Sequence, residues 1–76
     1  MLTGYNTDID YAGVTYHVQT EDRGGGNPLI ESLVYVGGEI LAARRTEYRN
    51  LLNVGAEKGS IQSLMEHQHR AIVEAI

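Results

Sequence analysis

Asp8 and His17 are the residues of this chain best placed by type and spacing to do chemistry. They flank a short break at Ala12-Gly13. If the segments on either side pair as antiparallel strands, the carboxylate stands opposite the imidazole and orients its ring, the first requirement for acid–base work. Gln19 and Glu21 follow His17 on the same alternation, and Arg44 is the cation that a second strand pair brings opposite Glu31. Asp8, His17, Gln19, Glu21 and Arg44 therefore form the candidate ligand or contact site. A solvated surface pair is the plainer account of Asp8 and His17. No nucleophile or substrate cleft accompanies them, so no catalytic residue is assigned and the chain reads as non-enzymatic.

The remaining chemistry-bearing groups fail on spacing or context. His67 and His69 are two residues apart, which sends them to different sides of a helix, whereas helical ligand pairs need three or four. Both read as solvated helix residues. Glu21-Asp22 with Asp8 and Asp10 gathers carboxylates, the donors hard cations prefer, but in no calcium-loop spacing. Arg23-Gly24-Gly25-Gly26 has the composition of a phosphate cradle, yet it leads through Pro28 into a strand rather than a helix N-terminus. No metal and no cofactor is expected.

The elements that must position these groups are two strand pairs and a helix. Ile9 and Tyr11 alternate with Asp8 and Asp10, and Val14, Tyr16 and Val18 alternate with Thr15, His17 and Gln19. One register keeps all the apolar residues on a common face: Tyr11 opposite Val14, Ile9 opposite Tyr16, Asp8 opposite His17. Ala12 suits a two-residue primed turn poorly, so a four-residue loop of the same register is expected. The second pair, Leu29 to Val36 and Glu39 to Arg45, turns at Gly37-Gly38, setting Val36 opposite Glu39, Tyr35 opposite Ile40, Leu33 opposite Ala42 and Glu31 opposite Arg44. Leu33, Tyr35, Ile40 and Ala42 then share one face, and Ile30, Val34, Val36, Leu41 and Ala43 the other. Strands apolar on both faces are normally covered on both.

Past Thr46 the period changes. Thr46 is a candidate cap for a short turn through Leu52, which Asn53, Gly55 and Gly59 interrupt. Ser60 is the candidate cap of the last helix, where Ile61, Leu64, Met65, Gln68, Ile72 and Ile76 recur at helical spacing.

Seventy-six residues make one domain, 1–76, without a cysteine to staple it. At that size a chain buries only about 60% of the surface it exposes unfolded, so its core is small. A net charge of −4 with six Lys and Arg gives no basic patch for nucleic acid or anionic lipid. No run of about 18 apolar residues and no leader pattern occurs, so a soluble cytoplasmic chain with no membrane partner is expected.

Gly4-Tyr5-Asn6-Thr7-Asp8, Tyr16 to Asp22, Gly37-Gly38-Glu39-Ile40-Leu41 and Gln68-His69-Arg70-Ala71 resemble a small bacterial domain family of uncharacterised function. The resemblance implies a bacterial origin and a compact domain sometimes joined to other modules, and it implies no activity. It directs attention to His17, Gln19, Glu21 and Asp22 as a unit, with Asn6 and Asp8 nearby.

The expected fold is α+β, a four-stranded antiparallel meander with the C-terminal helix across one face. Leu33, Val34, Tyr35, Val36 and Leu41 exceed what one helix covers and form the candidate interface, for a protein partner or a second copy in a homodimer. The alternative function is a regulatory domain that binds a small ligand or metal on the polar face around Asp8, His17, Gln19 and Glu21.

Overall fold

The structure, a computed structural model, describes residues 4–24, 26–53, 55 and 58–76. The strands are β1 (Gly4–Tyr11), β2 (Val14–Asp22), β3 (Leu29–Val36) and β4 (Glu39–Glu47), followed by helices α1 (Arg49–Asn53) and α2 (Lys58–Ala75). The strands form one antiparallel sheet in the order β1-β2-β3-β4. This is the α+β meander that the alternation predicts, except that β1 begins at Gly4 rather than Thr7, β2 runs to Asp22 rather than Thr20, and β4 runs to Glu47 rather than Arg45.

The first hairpin pairs Tyr11 with Val14, Ile9 with Tyr16 and Asp8 with His17, as expected. Its turn is tighter than expected. Ala12 at φ 52° and Gly13 at φ 80° are both left-handed, as a two-residue type I′ turn requires, so alanine takes a conformation that costs an L-residue roughly 1–2 kcal/mol. The right-handed twist of the paired strands favours that turn over a longer loop.

The second hairpin starts in the expected register and then departs from it. Val36 faces Glu39 and Tyr35 faces Ile40, but Val34 faces Ala42, so β4 carries one extra residue at Leu41. Beyond this bulge Leu33 pairs with Ala43 instead of Ala42, and Glu31 with Arg45 instead of Arg44. A bulge exchanges the faces of everything that follows it. Ala42 and Arg44 therefore join the face of Val34, and Ala43 and Arg45 that of Leu33.

Helix α2 lies mainly across β1, β2 and β3 and leaves β4, one of the two edge strands, largely uncovered. Ile61 and Met65 pack with Ile30 of β3 and with Tyr48, flanked by Tyr5, Leu51 and Leu64. Tyr48 closes this end: its backbone amide donates to Pro28 and its hydroxyl to Asp22 at 2.5 Å. Burial first, then the Asp22 carboxylate, push its pKa up to about 12. The expected caps are displaced. Thr46 remains in β4 and bonds Gln68, while Ser60 and Gly59 lie inside the first turn of α2. At the start of β1, a Cβ on Gly4 would lie 2.2 Å from the Thr20 carbonyl oxygen, so only glycine lets β1 approach β2 there.

Candidate functional site

On the face away from α2, strand pairing lines up three cross-sheet rows. The first runs Asp8, His17, Tyr35, Ile40; the second Asn6, Gln19, Leu33, Ala43; the third Glu21, Glu31, Arg45. His17 Nδ1 lies 2.6 Å from Asp8 Oδ1, as the register predicts, and the ring stacks on Tyr35 at 6.0 Å between centroids and 13° between planes. Gln19 Nε2 donates to Glu21 Oε1 at 2.7 Å. The two amide and carboxylate groups thus satisfy each other rather than converge on a ligand.

Arg44 does not belong to this group. The bulge sends it to the helix side, and Arg45 takes its place, donating through Nε to Glu31 Oε2 at 2.7 Å. Arg23 completes the cluster, donating to Glu31 Oε1 at 2.6 Å and lying 3.2 Å from Glu21. Hydrogen bonds from Arg23 and then Arg45 hold the Glu31 carboxyl below the usual carboxylate range. These arginines are neutralised by carboxylates, which leaves little for an incoming anion. Asp22 is parted from Glu21 by the strand alternation and faces Tyr48 and Gly24, so the acidic run is divided between both faces.

The helix-covered face holds what the sequence reading missed. His69 is not solvated: it is 7% exposed, and both ring nitrogens meet threonine hydroxyls, Nδ1 with Thr20 at 2.7 Å and Nε2 with Thr7 at 2.8 Å. Thr20 continues to Ser32 at 2.7 Å, Ser32 accepts from Gln68 Nε2 at 2.9 Å, and Gln68 Oε1 accepts from Thr46. A polar seam thereby crosses all four strands beneath α2, and no described buried side-chain polar atom is left without a partner. Burial holds the His69 pKa below that of a free imidazole. The signal was available in part, because Thr7, Thr20 and Ser32 fall on the apolar parity of their strands and His69 follows Met65 by four residues.

The candidate interface divides likewise. Leu33 and Tyr35 stand half-buried on the outer face, while Val34 is buried beneath α2 and Val36 shares its side, so these four make no common surface. Leu41 belongs to the open edge and is 64% exposed, beside Ile40 at 60%. On the helix side Leu41 and Ala42 line a groove of about 370 Å³ with Ala71, Ile72, Ala75 and Ile76. Apart from Thr46, every residue of β4 is exposed.

Among the described residues no helix is long and apolar enough to cross a membrane, and no three His, Asp or Glu side chains converge as a metal site. Comparison with family models, with curated proteins and with solved structures matches this chain to none of them.

Proposed function

We propose that this domain is a non-enzymatic interaction module that binds protein along β4, a second copy of the chain being the partner its charges fit. The observation that carries this is β4 itself: an edge strand of nine residues whose two largest apolar side chains, Ile40 and Leu41, are more than half exposed. Such an edge offers unpaired backbone groups to another strand. The bulge and the charges at Glu39, Arg44, Arg45 and Glu47 oppose indiscriminate pairing, so a partner must supply matching charge. Laid antiparallel on itself in the register centred between Leu41 and Ala42, β4 sets Glu39 against Arg44 of the second copy, both on the helix side of the sheet. The groove beside Leu41 then closes between the two copies.

Light scattering over a concentration series tests this. Association is expected to weaken in Leu41→Lys and in Glu39→Arg, and to recover when Glu39→Arg is combined with Arg44→Glu. A strict monomer up to roughly millimolar concentration, where a contact of about 4 kcal/mol would register, would sink self-pairing.

The second reading, a small-ligand or metal-binding regulatory face, draws on the ordering of His17 between Asp8 and Tyr35. Addition of divalent cations or nucleotides to labelled protein discriminates between the two. Shifts confined to Asp8, His17 and Tyr35 favour the ligand face, and a silent outer face leaves the edge.

A further inference from the structure

The hydrogen bonds under α2 have one consistent direction, and it is set by Gln68. Its amide nitrogen only donates and its amide oxygen only accepts. Nε2 faces Ser32 Oγ at 2.9 Å and the Arg44 carbonyl at 3.4 Å, while Oε1 faces the Thr46 hydroxyl. Turning the amide over would set its oxygen against the Arg44 carbonyl. Ser32, having accepted from Gln68, must give its own proton to Thr20, and Thr20 must give its proton to His69 Nδ1. The single proton of a neutral imidazole then lies on Nε2 and is donated to Thr7. Run the other way, the chain leaves the Ser32 proton without an acceptor, a cost of about 1–3 kcal/mol for a buried group.

We propose that His69 is a proton-operated latch on the join between α2 and β4. A proton added at Nδ1 makes that nitrogen a donor to Thr20, which turns the Thr20 hydroxyl toward Ser32. Ser32 then accepts from both Thr20 and Gln68 Nε2, and its own proton is left without an acceptor. Turning the Gln68 amide brings its oxygen to that proton, and turning gives up the Arg44 carbonyl and reverses the bond with Thr46, the described hydrogen-bond ties between α2 and β4. The groups facing the ring are Tyr5 and Thr7 from β1 and Thr20 from β2, with Ser32 of β3 one bond further. On α2 itself, Glu66 is exposed and paired with Arg70 at 2.6 Å, and His67 is exposed. No described carboxylate is therefore placed to compensate the imidazolium, and the new charge has the hydroxyl chain as its outlet. The coupling does not depend on what β4 binds; its consequence for binding rests on the reading of β4 as the contact edge.

Nitrogen-15 NMR of the whole chain tests the latch. At about pH 7.5 His69 is expected as the Nε2–H tautomer. On acidification the His69 ring, the Gln68 side-chain amide and the Thr46 backbone amide are expected to move with one shared midpoint. An Nδ1–H tautomer at neutral pH overturns the proposal, and so does a His69 titration, or a global unfolding, that leaves Gln68 and Thr46 unmoved beforehand. Light scattering at the same pH values separates the two readings. Coupled NMR shifts with unchanged association leave the latch standing and overturn its link to binding.

Discussion

His17 and His69 place the same ring on opposite faces of one sheet, and the surroundings make them different groups. His17 faces water, takes one carboxylate as partner and rests on Tyr35. His69 is enclosed between α2 and the sheet, takes two neutral hydroxyls and has no described charge beside it. On the open face, the Asp8–His17 pair closes on itself, and the cluster around Glu31 is made of exposed arginines. On the covered face pairing is collective, because Thr20 and Ser32 each satisfy two neighbours and Gln68 three. A buried network is worth most when complete, since each orphaned member bears its own desolvation cost.

The largest expected effect is thus one substitution made twice. His69→Ala opens a void beneath α2 and orphans Thr20 and Thr7, and is expected to destabilise by about 2–4 kcal/mol in urea unfolding. His17→Ala removes a solvent-exposed pair and is expected to cost no more than about 0.5–1 kcal/mol. Equal losses from the two would break the contrast between the faces. Thr20→Val keeps the shape of the side chain but strands Ser32 and His69 Nδ1 together, for an expected loss of about 2 kcal/mol. A neutral outcome would mean that the seam tolerates gaps, and that a water takes the place of the lost hydroxyl.

Acid sharpens the contrast further. The folded pKa of His69 lies below the ordinary 6.5, so the unfolded chain takes up this proton first. Stability from this group is full above about 6.5 and falls as pH drops through the interval down to the folded value. Unfolding measured at several pH values is expected to show this slope in the wild type and to show it reduced in His69→Ala. An unchanged slope in the variant would assign the acid response to other groups.

Much of the fold was legible because strand alternation and turn glycines are local signals. Asp8 opposite His17 follows from counting outward from Ala12-Gly13, and that pair was found where it was expected. Leu41 gave no such signal. A bulge is chosen by the twist and packing of the whole sheet, no glycine marks this one, and missing it placed Ala42, Ala43, Arg44 and Arg45 on the wrong faces. His69 was misjudged for another reason. Its neighbour His67 and the charges at Glu66 and Arg70 mark a polar helix face, and only the row of Thr7, Thr20 and Ser32 on the opposing sheet makes a buried imidazole affordable. That row is assembled from three strands, so no window of sequence contains it.

The smallest expected effect concerns the most crowded ion cluster. Glu31 is held by both Arg23 and Arg45, and a count of contacts would rank it high. Arg45, however, is 61% exposed, so solvent screens it, and its removal leaves Glu31 still paired with Arg23. Arg45→Ala is therefore expected to cost about 0.5 kcal/mol or less at low salt and to become neutral near 1 M salt, where the screening length falls to about 3 Å. Because the arginines hold the Glu31 carboxyl below its ordinary 4.5, whatever stability the cluster contributes is present above that pH and is lost as pH falls through the lower folded value. The seam and the Glu31 cluster should then respond to acid in separate steps, the seam first below about 6.5 and the cluster only below about 4.5. A single merged transition near pH 4, unaltered by His69→Ala, would show that the seam contributes no acid sensitivity of its own.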